Sequence, residues 1–405
     1  FWVLLRSARG WFEEGYSRFF LYPMGCAMLP LIALREDHAT GYRAAQMALQ
    51  AGLARDGGVE TARLQHVFGL FCAHWFEPLQ SALPHAQSAL QGLLHAGDME
   101  AACFTYYTTQ AALADTATSL DEIQQEIDAA LACAGSMSNL HARQAYLSFR
   151  QWVRALKGQT RTPGSFDDET FTETDHITNI HENPMALCFY HLYRGLSASI
   201  FGDETTLVQH AEAAVPLATY ITGFYPTALI NVLHSLALLM RARQSEGESR
   251  AALMTQLACN QRWLADRAKD APMNFGHLHD WLEAERLDME GNAWSALQSF
   301  ERAIRTANTA QRPWHHALII ERAAYFYQRH QAEHLSRPLL EQAVELYSRW
   351  GAHAKAKALQ VAHPYLTNAT RPGTETASEL DHVALLRVPG LGTGNVAIKT
   401  GGACG

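Results

Sequence analysis

Apolar residues recur along most of this chain at the three-and-four spacing of an amphipathic helix, and the helical stretches come in pairs. The pattern is clearest from Asn274 to Leu359. Residues 284–303 align with residues 324–343 at an offset of 40: Ala284 with Ala324, Leu287 with Tyr327, Ala296 with Ser336, Phe300 with Leu340, Ala303 with Ala343. Gly291-Asn292 interrupts the first unit, and Ala296, Phe300 and Ala303 then share one helix face. The small residues let two helices approach, and the large one enters the groove of the next hairpin. This is the logic of a tetratricopeptide-type repeat, stretched from the usual ~34 residues. The expected fold is all-α, a tetratricopeptide-like right-handed superhelix of antiparallel helical hairpins. Such an array couples mainly neighbour to neighbour.

The same punctuation divides the rest of the chain. Residues 12–35 read as one or two apolar helices broken near Pro23 and Pro30, and Thr40-Gly41-Tyr42 opens a helix with Ala45, Leu49 and Leu53 on one face. Helices follow over Thr61–Phe76, Leu79–His95, Met99–Leu113, Ser119–Ala134 with Ser119 as N-cap, and Asn139–Lys157 stopped by Gly158. Residues 1–158 form an N-terminal sub-array in this reading. Gln159 to Phe171 is rich in Thr, Gly, Pro and Asp with no helical period, so 159–181 reads as a loop. A second sub-array, 182–362, runs through Pro184–Phe201, Glu204–Tyr220, Pro226–Arg243, Glu248–Lys269, the two aligned repeats and Ala352–Ala362. Residues 363–405 read as a mostly disordered tail with one short helix near 378–387.

Composition narrows the class. Of 405 residues, 48% are hydrophobic and Val/Ile runs are scarce, which favours helix over sheet. The net charge is 32 − 40 = −8 with no basic block, so nucleic acid is excluded as an expected partner. The seven cysteines form no C-x-x-C pair, and the five that sit among apolar helical residues, Cys72, Cys103, Cys133, Cys188 and Cys259, read as reduced packing residues of a cytoplasmic protein. No signal peptide is visible, and residue 1 is Phe, so the chain is expected to be a processed, truncated or excised piece. Phe19–Leu34 has 16 residues and two prolines, too short to span a bilayer that needs about 20.

Candidate chemistry is sparse. Gly390–Gly394 and Val396-Ala397-Ile398-Lys399 imitate a kinase glycine loop and lysine strand, but one residue separates them and six follow, leaving no place for the catalytic and metal-binding Asp. There is no phosphate loop and no G-x-S-x-G elbow. Among 20 histidines, His330 and His334 have helical i,i+4 spacing around Glu333, but they lie at an inter-helix turn without the His-Glu-x-x-His arrangement. No catalytic residue, cofactor or metal site is expected. Aromatics remain: Phe104, Tyr106 and Tyr107 on one helix, Phe189, Tyr190, His191 and Tyr193 on another. Tyr106, Tyr107, Tyr190, His191 and Tyr193 are candidate partner-binding residues on a concave face; the alternative is that these rings fill gaps between hairpins.

Several segments carry a resemblance. They are His74-Trp75-Phe76-Glu77-Pro78-Leu79, Gly97-Asp98-Met99-Glu100, Phe201-Gly202-Asp203, Ala296 to Ala303, and Leu346-Tyr347-Ser348-Arg349-Trp350-Gly351-Ala352 with Lys355 and Lys357. Glu379-Leu380-Asp381 follows. In this order they resemble the helical-repeat middle region of large bacterial signalling proteins, over roughly residues 30–388. In those proteins the repeats follow a serine/threonine kinase-like domain and an AAA-type ATPase domain, and precede a GAF domain and a sensor histidine kinase. The resemblance implies a non-catalytic module coupling those domains, with domains of the same polypeptide or a protein as partner and no membrane. The flanking catalytic domains are absent from this chain, and its glycine-rich end does not look like a GAF domain. The other reading is a free-standing adaptor that binds a peptide or protein on its concave face.

Overall fold

The structure, a computed structural model, describes residues 2–55 and 57–367. Among them all regular structure is helical, with no strand. In chain order the helices are α1 (Trp2–Glu14), α2 (Arg18–Cys26), α3 (Met28–Arg35), α4 (His38–Ala54), α5 (Gly58–Phe71), α6 (Ala82–His95), α7 (Met99–Thr116), α8 (Leu120–Ser136), α9 (Leu140–Lys157), α10 (Glu173–Ile180), α11 (Pro184–Phe201), α12 (Glu204–Leu217), α13 (Pro226–Arg243), α14 (Gly247–Asp270), α15 (Pro272–Met289), α16 (Ala293–Thr309), α17 (Pro313–Arg329), α18 (Glu333–Trp350) and α19 (His353–Ala362). Short 3₁₀ turns at Ala73–Trp75, Leu79–Ser81 and Ala218–Ile221 join some of them. The glycine-rich tail, the helix near 378–387 and the Lys399 segment lie outside the described residues.

Local chemistry sets the helix ends. Asp37, Asp98, Ser119, Asn139, Thr172, Asn183, Asp203 and Asn292 each accept a backbone N–H three residues on, satisfying a donor that the first helical turn leaves free. Gly158, Gly202 and Gly351 end α9, α11 and α18 in the left-handed conformation. The break between α2 and α3 falls at Ala27. Pro23 is inside α2, and Pro30 sits in the first turn of α3, where its missing N–H costs little.

Two pairs of successive helices, α5 with α6 and α15 with α16, run in opposite directions. Along α5 and α6, Ala62 faces Gly92, Gln65 bonds Ser88 and Phe68 meets His85 edge-on. Three residues forward on one helix is three or four back on the other. Gly276 facing Thr306 and Asp280 pairing with Arg302 give the same register for α15 and α16. The 40-residue offset holds in space. Ala284 and Ala324, Ala296 and Ser336, Phe300 and Leu340, Ala303 and Ala343 are all buried, and Leu287 and Tyr327 are both half-buried. Even the turns match, with left-handed Gly291 answered by Gln331 and Gln311 by Gly351. Phe300 reaches Phe326 of α17, 5.5 Å between ring centres.

The array has two layers. Alternate helices α5, α7, α9, α11, α13 and α15 pack on one another as an inner layer, and the even-numbered helices lie outside them. Layer sets burial: α14 buries only Leu257 and Leu264 of 24 residues, whereas α11 buries most of its surface. A helix enclosed on both faces carries no clean apolar stripe.

Two expectations need correction. The first is neighbour-only coupling. α7 touches α17, and α9 and α11 touch α19. Trp350 Nε1 donates to Ala117 O at 3.1 Å, and one contiguous core runs from Cys26 to Leu359. The halves on either side of 159–181 therefore share that core. The second is the loop itself. Residues 173–180 form α10, and Thr172 and Asp175 exchange capping bonds. Upstream, Phe166 is fully buried, Gln151 donates to its carbonyl, and Asp168 takes Gln151 and Arg154 at 2.9 Å each. Two buried rings, Phe166 and Phe171, anchor a loop without any hydrophobic period.

Candidate functional site

The aromatic candidates are built into the inner layer. Tyr107, Tyr190 and Tyr193 are buried, and Tyr106 and His191 are half-buried. Phe71 meets Phe224, which packs on Tyr107; Tyr107 stacks on Phe189 at 5.6 Å and Phe189 on Tyr193, and Tyr193 meets Trp152 at a tilt. Trp152 then contacts both Trp314 and Trp350. The rings are a spine linking the two halves of the chain, which corresponds to the gap-filling alternative. Tyr190 gives its hydroxyl to Glu173, which also holds Arg194. His191 lies 3.0 Å from His210, and burial pushes its pKa down to about 4.

Beside the spine is a buried polar junction. Asp115 on α7 accepts from Trp314 Nε1 at 2.9 Å and from the Tyr225 hydroxyl, and His315 Nε2 is 3.4 Å away. His315 faces His277 on α15. Arg312 donates to Asn274 Oδ1 at 2.7 Å, while Asn274 bonds the carbonyls of His74 and Glu77 and the amide of Leu79. Burial raises the Asp115 pKa, but the charges and hydrogen bonds of His315, Tyr225 and Arg312 outweigh it and leave it lowered. Burial, reinforced by His315 and Arg312, holds His277 well below the usual histidine range and so neutral. This aspartate and its histidines are shut away from solvent, where no substrate reaches them. The arrangement is structural.

The sequence-marked histidines do not converge. His330 bonds Asp288 at 2.8 Å, and His334 is exposed at the start of α18. Among the described residues no group of three or more His, Cys, Asp and Glu stands together as metal donors do.

A ligand-sized hollow of about 470 Å³ opens between the end of α3, the Ala218–Ile221 turn, α13 and α14. Ile32, Val215, Ala218 and Ile230 supply apolar wall, with the Trp263 ring at one side. Gly223, in the left-handed region with φ +86°, brings the chain close over Phe71 before α13 begins; a Cβ there would lie 3.1 Å from that ring. Glu36, at the rim, also holds a left-handed conformation. His38 Nδ1 faces both the Glu36 carbonyl and the Arg267 guanidinium, and its pKa is lowered by burial and by that charge.

The polar floor comes from Asn231 and His234 on α13 and Asn260 on α14. Asn260 Nδ2 donates to His234 Nδ1 at 3.0 Å and to Ser235 Oγ at 3.2 Å. That geometry leaves the proton on His234 Nε2. Burial lowers the His234 pKa, so the ring is neutral near pH 7. Asn231 Oδ1 is buried without a hydrogen-bond partner. A wider depression of about 620 Å³ lies along α1, but nearly all its lining belongs to that single helix.

Sequence reasoning passed over this hollow. One signal was available: Asn231 and His234, three apart and followed by Ser235, are polar interruptions in the mostly apolar run of α13. Cys259, expected among packing residues, is exposed at the hollow. No protein-family model matches the chain, and no curated protein matches it at a significant level. No helix among the described residues is long and apolar enough to cross a membrane.

Proposed function

We propose that the chain is a non-catalytic helical-repeat module of a large cytoplasmic signalling protein, coupling an ATPase or kinase-like domain to a sensor kinase. Its architecture in this reading is a tetratricopeptide-like right-handed superhelix closed on itself. One observation carries the proposal: Asp115 of α7 is tied to Tyr225 of α13 and to Trp314 of α17 inside a shared core. A body that passes a displacement between flanking domains must not absorb it by bending. Buried, directional bonds between distant repeats give it that stiffness, and leave few discrete arrangements for a signal to choose between. The adaptor reading needs an open inner face. That face is occupied here by Tyr107, Tyr190 and Tyr193, which weighs against it.

The test places the chain between kinase-like, ATPase and sensor-kinase domains in one polypeptide. Weakening the junction with Trp314→Phe is expected to change autophosphorylation by the sensor kinase while the chain stays folded. The isolated chain is expected to hydrolyse no ATP and to capture no partner stoichiometrically. Unchanged output in the junction variant, or tight stoichiometric capture by the isolated chain, overturns the proposal.

A further inference from the structure

We propose that the hollow between α3, α12, α13 and α14 is a binding site for an uncharged heteroaromatic molecule that presents N–H donors. The inference is independent of the coupling role. Volume is the first argument: about 470 Å³ falls within the range of small-molecule sites, and the mixture of apolar wall with a few convergent polar groups is that of such sites.

Charge is the second. No Lys or Arg lines the hollow. The nearby Arg267, outside the lining, turns its terminal nitrogens to Asp270 at 3.4 Å and to His38, and its buried Nε has no partner. A phosphate or carboxylate would lose its water without gaining a counter-charge, and would face Glu36. A cation would find that carboxylate only at the exposed rim, and would meet repulsion from the Arg267 guanidinium, 6.0 and 5.9 Å from the centres of the Trp75 and Trp263 rings. An uncharged occupant meets neither penalty.

Hydrogen-bonding capacity is the third. Both donors of the Asn260 amide are spent on His234 and Ser235, which leaves its oxygen free to accept. The hydroxyl protons of Thr222 and Thr227 are spent on the carbonyls of Thr219 and Phe224. Asn231 Oδ1 has no partner. The donors of the floor are His234 Nε2–H and the Nδ2 of Asn231. A ligand that satisfies the floor must bring N–H or O–H groups for Asn231 Oδ1 and the Asn260 oxygen, together with acceptors for His234 Nε2–H and Asn231 Nδ2, and a flat ring suits the aromatic side at Trp263. Aminopurines and aromatic carboxamides have that chemistry.

The experiment uses the full chain and two matched probe pairs: nicotinamide against nicotinate, and adenine against adenosine monophosphate. Binding is read by ligand-observed NMR and by alkylation of Cys259, whose exposed thiol lies at the hollow and is followed by peptide mass spectrometry. Nicotinamide or adenine is expected to bind and to slow Cys259 alkylation, with the anionic partner of each pair at least about ten-fold weaker. Asn260→Leu is expected to weaken binding about ten-fold. Val215→Trp, at a half-exposed wall position and so tolerant of the larger ring, is expected to abolish it in a folded protein. The proposal is overturned if neither neutral probe binds, if the anions bind equally well, or if Val215→Trp leaves binding intact.

Discussion

Trp314 donates its indole N–H to Asp115 at 2.9 Å across 199 residues of chain, and both side chains are almost completely buried. Donors and charge around that acceptor explain why Asp115 stays ionised in the core: the Tyr225 hydroxyl donates to the same carboxylate, and His315 lies beside it. Asp115→Ala would strand three polar groups at once. The expected cost is about 3–5 kcal/mol, as for removing one partner of a buried charged pair. Trp314→Phe, which leaves only one acceptor short, should cost about 1–3 kcal/mol. Urea titrations of both variants check the order, and a loss under about 0.5 kcal/mol for Asp115→Ala contradicts it.

Acid should unfold the protein well before its carboxylates protonate. Burial pushes His74 and His210 down to about 3 and His66, His176 and His191 to about 4. These rings are neutral in the folded chain, while in the unfolded chain they take up protons below about pH 6.5. The unfolded state binds more protons, so stability is greatest above pH 6.5 and falls as pH drops toward 4. Each ring contributes up to about 1.4 kcal/mol per pH unit within that window. Urea midpoints at pH 7.5, 6.0 and 5.0 should fall steadily, and a flat profile would count against the neutral core histidines.

The repeat offset predicts a stabilising change. Gln311 and Gln331 hold left-handed conformations at positions where the aligned repeat has Gly351 and Gly291. That conformation costs a non-glycine residue about 1–2 kcal/mol, partly offset by the greater freedom of glycine in the unfolded chain. Gln311→Gly should therefore raise stability by about 0.5 kcal/mol, read as a higher Tm. A lower Tm would mean that the Gln311 side chain makes a contribution its backbone hides.

Phe300 and Gln298 test the helix facing. Phe300 is buried against Phe326, while Gln298 is exposed. Phe300→Ala should cost about 3–5 kcal/mol and Gln298→Ala less than about 0.5 kcal/mol. Because the core is continuous from α2 to α19, amide exchange in Phe300→Ala should rise in α7 and α9 as well as in α15 to α18. Damage confined to α15–α18 would restore the neighbour-only picture.

What was legible in the sequence was local. Ser119, Gly158, Pro184 and Pro226 mark helix ends because capping and proline geometry act within a few residues. The Ala296–Phe300–Ala303 face was legible because α16 is an outer helix with one apolar side. Inner helices hid their roles. Tyr107 and Tyr193 look like surface candidates in a pattern with no polar face to oppose them, yet enclosure on both sides produces that same pattern. Asp115, Trp314 and His315 were invisible as a group, since nothing local reports a contact 199 residues away. The hollow was missed for the same reason: Glu36, Thr222, His234 and Asn260 come from separate elements. Thr172 with Asp175 was a readable capping signal inside a segment judged by composition alone.

The contact of α7 and α9 with α17 and α19 also fixes how many repeats the chain can hold. Open arrays lengthen by copying a unit, because a new hairpin only pushes the free end outward. Here a 40-residue unit inserted after Ala310 would set one more pair of helices between α16 and α17, and helices pack 8–10 Å apart. Trp314 would leave Asp115, Trp350 would leave Ala117, and two buried partners would be stranded together. Duplication or deletion of a hairpin is thus barred within this segment, and its length should be as invariant as that of an enzyme core.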